Sequence, residues 1–138
     1  MSAWPALAAA VAGVLGLSAA GCGTPSPDLF LVNRDGTVPG AKLTMLVSDT
    51  SVRCNHGSVH ELTSAQTIEA RELSKDLHEF QAKKPPIQAP RPAQIFSFAV
   101  RNDEGTVRYP DTAQRPTILP RITRFVRDTA IGTCGLKR

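Results

Sequence analysis

Cys54-Asn55-His56, followed by His60, is the densest run of groups able to ligate a metal or move a proton. Thiolate and imidazole are donors for zinc and copper. No second ligand pair at zinc-finger spacing accompanies them, and Asn55-His56-Gly57-Ser58 has the composition of a turn. His78 lies among charged residues on an amphipathic stretch. All three histidines therefore read as surface polar groups. Glu69 and Glu72, like Asp76 and Glu79, share one helical stretch. Such carboxylates do acid–base work only when a cleft desolvates one of them. Interleaved with lysines on a helix, they read as solvated charges. Arg108, Tyr109 and Asp111 make a polar constellation at a strand end, which reads as a turn with Asp111 or Thr112 capping the next helix. No G-x-S-x-G elbow, H-E-x-x-H pair or phosphate-binding glycine loop is present. The expectation is no catalytic residue, no metal site and no cofactor.

The elements that carry these residues follow from periodicity and punctuation. Leu29–Asn33 reads as a strand, and Asp35-Gly36 and Pro39-Gly40 as turns. Lys42–Ser48 alternates, with Leu43, Met45 and Val47 on one face. Asp49-Thr50 turns the chain into a strand over Ser51–Asn55. Thr63, with Gln66 three residues later, is a capping-box pattern. Ala70, Leu73, Leu77 and Phe80 then repeat at helical spacing, and the helix must stop before Pro85. Lys83–Pro92 is a proline-rich spacer of extended character. Gln94–Val100 and Thr106–Tyr109 read as a second strand pair around Asn102-Asp103-Glu104-Gly105. A final helix runs from about Thr117 to Ile131, with Pro120 in its first turn and Gly132 as its C-cap. Ile118, Ile122, Phe125 and Val126 form its apolar face, opposite Arg121, Arg124 and Asp128. The expected fold is α+β: an antiparallel sheet with two helices on one face, in a ββαββα-like order. The strand pairs around Val47–Arg53 and Val100–Arg108 carry a faint internal repeat.

The N-terminal segment has a different chemistry. Ala3–Gly21 contains no charged side chain, and Ala6–Leu17 is a run of Ala, Val, Gly and Leu. Small residues follow, Ser18-Ala19-Ala20-Gly21, and then Cys22. An apolar run closed by small residues is the pattern of an export signal. It is short and Ala/Gly-rich for a permanent membrane span. Ala19-Ala20-Gly21-Cys22 resembles the lipobox of bacterial lipoproteins, with Ala19 where that family prefers Leu and with no Lys or Arg in Met1–Pro5. The resemblance implies removal of residues 1–21 and acylation of Cys22 as the new first residue. An unlipidated secreted product and an uncleaved anchor are the alternatives. Residues 22–28, with Thr24-Pro25-Ser26-Pro27, read as an extended tether. Acylation of Cys22 leaves Cys54 and Cys134 as an even remainder, which in an exported chain implies one disulfide.

Of 138 residues, 41% are hydrophobic and 20% charged, which is a globular composition. Residues 29–138 suffice for one modest core. The net charge of +4 is weighted to the end of the chain. Between Arg115 and Arg138 stand Arg115, Arg121, Arg124, Arg127, Lys137 and Arg138, against Asp128 alone. Such a patch attracts nucleic acid, anionic lipid or acidic wall polymers, unless it is simply a solvated helix face. Export removes nucleic acid from that set.

Over Leu29–Gly135 the chain also resembles small lipoproteins and secreted proteins of high-GC Gram-positive bacteria. The resembling segments are VRCNHG (Val52–Gly57), EARELSKDL (Glu69–Leu77), GTVRYPDT (Gly105–Thr112) and CGL (Cys134–Leu136). That resemblance implies an address and no activity. A weaker likeness, in size and element order, is to subtilisin-inhibitor-like proteins, which carry two bridges where this chain has one available. No reactive-site loop stands out, and exposed Lys84–Pro92 is the nearest candidate. The expectation is a non-enzymatic cell-envelope lipoprotein on the extracytoplasmic face of the membrane. Its partners would be the membrane, through the lipid on Cys22, and an extracellular protein or acidic wall polymer. The alternative is a secreted protease-inhibitor-like protein.

Overall fold

The structure, a computed structural model, describes residues 27–91 and 95–138. Cys22, the export segment and most of the tether lie outside the described residues. The element order is β1 (Asp28–Gly36), β2 (Leu43–Ser48), β3 (Ser51–Cys54), β4 (Val59–Glu61), α1 (Ser64–Lys83), β5 (Phe96–Asn102), β6 (Gly105–Pro110) and α2 (Ile118–Gly132). The six strands form one antiparallel sheet in the order β4-β3-β2-β1-β5-β6. Each hairpin expected from the sequence is present. β1 lies between them and pairs with both β2 and β5.

Strand alternation decides which face is buried. Phe30 and Val32 on β1, Leu43, Met45 and Val47 on β2, Val52 and Cys54 on β3, Phe98 and Val100 on β5, and Val107 and Tyr109 on β6 all point into one core. Their register aligns them across the sheet: Val32 faces Met45 and Val100, and Val47 faces Val52. The core is closed by Ala70, Leu73 and Leu77 of α1 and by Leu119, Ile122, Phe125 and Val126 of α2. Phe125 meets Phe30 edge to face, with ring centroids 6.3 Å apart. Both helices thus cover the same face of the sheet, as the alternation and helical spacing predict.

The start of α1 forms as its sequence predicts. Gln66 N donates to Thr63 Oγ1 at 3.2 Å, and Thr63 N donates to Gln66 Oε1 at 2.9 Å, which satisfies two otherwise unpaired groups at the helix start. Cys54 and Cys134 form the disulfide, with Cα atoms 6.3 Å apart. It fastens the end of β3 to the chain just beyond α2.

Four local readings are corrected. Asp35-Gly36 is strand, because the ladder with β5 continues through Asp35–Ser97 and Gly36–Phe96. A Cβ at Gly36 would overlap the Ile95 carbonyl and press on Ala41 Cβ at 2.9 Å, so glycine is needed there for close approach. β4 is an added strand: its three residues alternate exposed, half-buried, exposed and hold their form by pairing with β3. The order is four strands, a helix, two strands and a helix, which keeps the expected succession of strands, helix, strands, helix. Gly132 is the last helical residue, Thr133 is the C-cap, and Gly135 takes the left-handed conformation at φ 68°. Asp111 does not cap α2. Its Oδ2 accepts from Phe96 N at 3.0 Å and Ile95 N at 3.2 Å, holding the start of β5, and Thr117 at the N-cap makes no side-chain capping bond.

Candidate functional site

The sheet has a second face that no described element covers. Its residues are those out of phase with the core positions. Register places Val59, Arg53, Leu46, Leu31, Arg101 and Thr106 in one row across all six strands. The next row runs Thr44, Asn33, Ala99 and Arg108. A bulge between Asp28 and Phe30 shifts the β1 register by one, so Asp28 joins Ser48 on this same open face. There Ser48 Oγ donates to Asp28 Oδ1 at 2.9 Å.

The side chains of Arg53, Arg101 and Arg108 are exposed and make no hydrogen bond or ion pair with a described residue. Strand spacing sets Arg53 and Arg101 about 14 Å apart, with Leu46 and Leu31 between them. Arg108, paired with Ala99, lies diagonally beside Arg101, about 8 Å away. Leu31 and Leu46 are half-buried, so the apolar middle of the face is recessed. Beside it lies an open concavity of about 630 Å³. Asn33, Thr44, Ser97 and Ala99 line it, with Lys42 and Arg108 also in its wall. Thr44 Oγ1 donates to Asn33 Oδ1 at 3.1 Å, which orients the Asn33 amide within it. Acidic groups sit at the two ends of the face: Asp28 and Glu61 at one, and Asp35, whose Oδ1 accepts from Gly36 N at 2.8 Å, at the other.

The histidines are placed apart. His56 is exposed in the β3–β4 turn, with φ 57°, and His60 lies half-buried on β4. Cys54 is committed to the disulfide. Among the described residues no three metal-ligating side chains cluster. His78 Nδ1 lies 2.8 Å from Glu104 Oε1, and this hydrogen bond raises its pKa above the ordinary imidazole value.

Glu69, Glu72 and Asp76 are brought together by Arg121, which crosses from α2. Arg121 Nη1 lies 2.6 Å from Asp76 Oδ2, and Nη2 lies 3.1 Å from Glu69 Oε1 and 3.4 Å from Glu72 Oε2. The cationic end of the chain is thereby partly neutralised, since Arg127 also pairs with Asp128 at 3.0 Å. One further cation is buried on the core side. Arg34 is 5% exposed; Nε donates to Ala41 O at 2.9 Å and Nη2 to Arg138 O at 3.2 Å, and its guanidinium stacks 4.6 Å over Phe96. Burial lowers its pKa.

Reading the sequence for basicity singled out the chain end and passed over the three strand arginines. Their signal was present in the alternation: Arg53, Arg101 and Arg108 each stand next to a buried residue, at the outward phase of a strand. Seeing that they share one surface required the strand order. No protein-family model matches the chain, and neither a curated protein nor a solved structure matches it.

Proposed function

We propose that this protein is a cell-envelope lipoprotein, held to the extracytoplasmic face of the membrane through acylated Cys22, and that its domain is a non-enzymatic binding module. The observation that carries the binding role is the asymmetry of the sheet. One face is sealed by two helices, and the other presents three arginines without acidic partners around a recessed apolar middle. Arginine beside apolar surface is the composition of interaction surfaces. The anchored address is supported by the cysteine count. Cys54 and Cys134 are bridged, which suits an oxidising compartment and leaves Cys22 as the odd cysteine, directly after the small-residue run.

The test of the address is the intact mass of the membrane-fraction protein, with and without Cys22→Ser. A mass of residues 22–138 plus lipid, lost in the variant, is the expected result. An unmodified secreted product would overturn the anchor. It would favour the second reading, a secreted protease inhibitor. That reading draws on the exposed segment 84–91, which is braced where Gln88 N donates to Arg115 O and Gln114 N donates to Gln88 O, both at 2.9 Å. Stoichiometric inhibition of a subtilisin-type protease by the purified protein is its measurable signature.

A further inference from the structure

We propose that the open face of the sheet binds an anionic, hydroxyl-bearing polymer of the envelope, laid across the strands with its acidic groups on Arg53, Arg101 and Arg108 and its hydroxyls over Asn33, Thr44 and Ser97. The inference rests on the binding-module reading and names the class of ligand for that surface.

Charge selects the sign of the ligand. Across the sheet the three arginines flank Leu31 and Leu46, with Arg108 on the edge strand; along the strands they lie between the carboxylates of Asp28 and Glu61 at one end and Asp35 at the other. A guanidinium offers a planar fork of donors that matches phosphate or carboxylate. The polar floor selects hydroxyls. The concavity of about 630 Å³ beside the arginines is lined by the amide of Asn33 and the hydroxyls of Thr44 and Ser97, with the cations Lys42 and Arg108 and the single carboxylate of Asp35 in its wall. Uncharged donors and acceptors between cations suit a chain that alternates acidic and hydroxylated units.

Shape and charge disfavour the other occupants. A flat bilayer contacts projecting apolar side chains, whereas Leu31 and Leu46 are half-buried between the arginines and the one exposed aliphatic side chain of their row, Val59, stands alone on the edge strand. A second copy, pairing face to face, would bring arginines against arginines. A linear polymer can follow a twisted, shallow face.

The test uses the full chain carrying Cys22→Ser, so that acylation plays no part. Binding to fluorescently labelled poly(glycerol phosphate) is followed by anisotropy over a salt series. Vesicles of phosphatidylglycerol and of phosphatidylcholine are run in parallel. Arg53→Ser, Arg101→Ser and Arg108→Ser should each weaken polymer binding by about threefold to tenfold at low salt and flatten its salt dependence. The triple variant should lose it. All three positions are exposed, so an unchanged thermal midpoint checks that the fold is kept. Arg124→Ser, on the exposed side of α2, should bind as the parent does. Polymer binding that survives the triple substitution overturns the inference, as does an equal loss in Arg124→Ser. Arginine-dependent binding to phosphatidylglycerol vesicles with none to the polymer overturns it in favour of a lipid surface. Acylation of Cys22 is read separately by mass, so an anchored protein that ignores the polymer retains its address and loses this ligand.

Discussion

Gln66 Nε2 donates to Thr133 Oγ1 at 2.9 Å, so the capping residue at the start of α1 is tied to the residue that precedes Cys134. Cys134 is in turn bonded to Cys54 at the end of β3. The start of one helix, the end of the other and strand β3 are therefore joined at one corner. Gln66 serves both its own cap and this junction.

The disulfide should carry a large share of the stability. It links residues 80 apart, and the chain-entropy model assigns such a loop about 4 kcal/mol. The Cys54→Ser/Cys134→Ser protein should unfold at markedly lower urea than the oxidised parent, and reductant should move the parent toward it. Equal midpoints would show that the bridge contributes little.

Arg121 should matter more than an ordinary surface arginine. It neutralises three carboxylates spaced along one side of α1, which would otherwise repel each other. Because the group is about one-third exposed, solvent screening keeps the expected loss in Arg121→Leu to on the order of 1 kcal/mol. The loss should be larger at low ionic strength and shrink in concentrated salt, as read from urea midpoints.

The contact between His78 and Glu104 should make stability depend on pH near neutrality. The folded pKa of His78 is raised, first by its hydrogen bond to Glu104. Its contribution is then full below the unfolded imidazole value and is lost as pH rises through the higher folded value. The difference in thermal midpoint between parent and Glu104→Gln should be full below the unfolded imidazole value of about 6.5 and shrink as pH rises above it. An NMR titration should show the His78 pKa falling toward normal in Glu104→Gln.

The β3–β4 turn holds two non-glycine residues in the left-handed region, Asn55 at φ 52° and His56 at φ 57°. His56 has no hydrogen bond that requires its side chain, so His56→Gly should stabilise the protein by about 0.5–1 kcal/mol, net of the entropy glycine loses on folding. Asn55→Gly should not. Its N donates to Thr44 O at 2.7 Å, and its Oδ1 accepts from Thr44 N at 3.0 Å, so the side chain extends the β2–β3 pairing. Comparing the two thermal midpoints separates relief of strain from loss of a hydrogen bond.

The residues alone settled what is local. Alternation placed β2, β5 and β6, the Thr63–Gln66 box placed the start of α1, and Pro85 bounded its end. Each depends on neighbours within a few positions, where backbone geometry and capping act. Tertiary structure decided the rest. β1 runs on through Asp35-Gly36 because β5 pairs with it, and β4 is a strand because β3 holds it. Asp111 turns to the backbone of β5, and His78 of α1 meets Glu104 in the β5–β6 turn. The candidate surface belongs to this second class. Arg53 and Arg101 are separated in the chain by β4, the whole of α1 and most of β5, yet lie in one row because β2 and β1 stand between their strands. Alternation tells each arginine to point away from the core; only the order and register of the strands put all three on one open face.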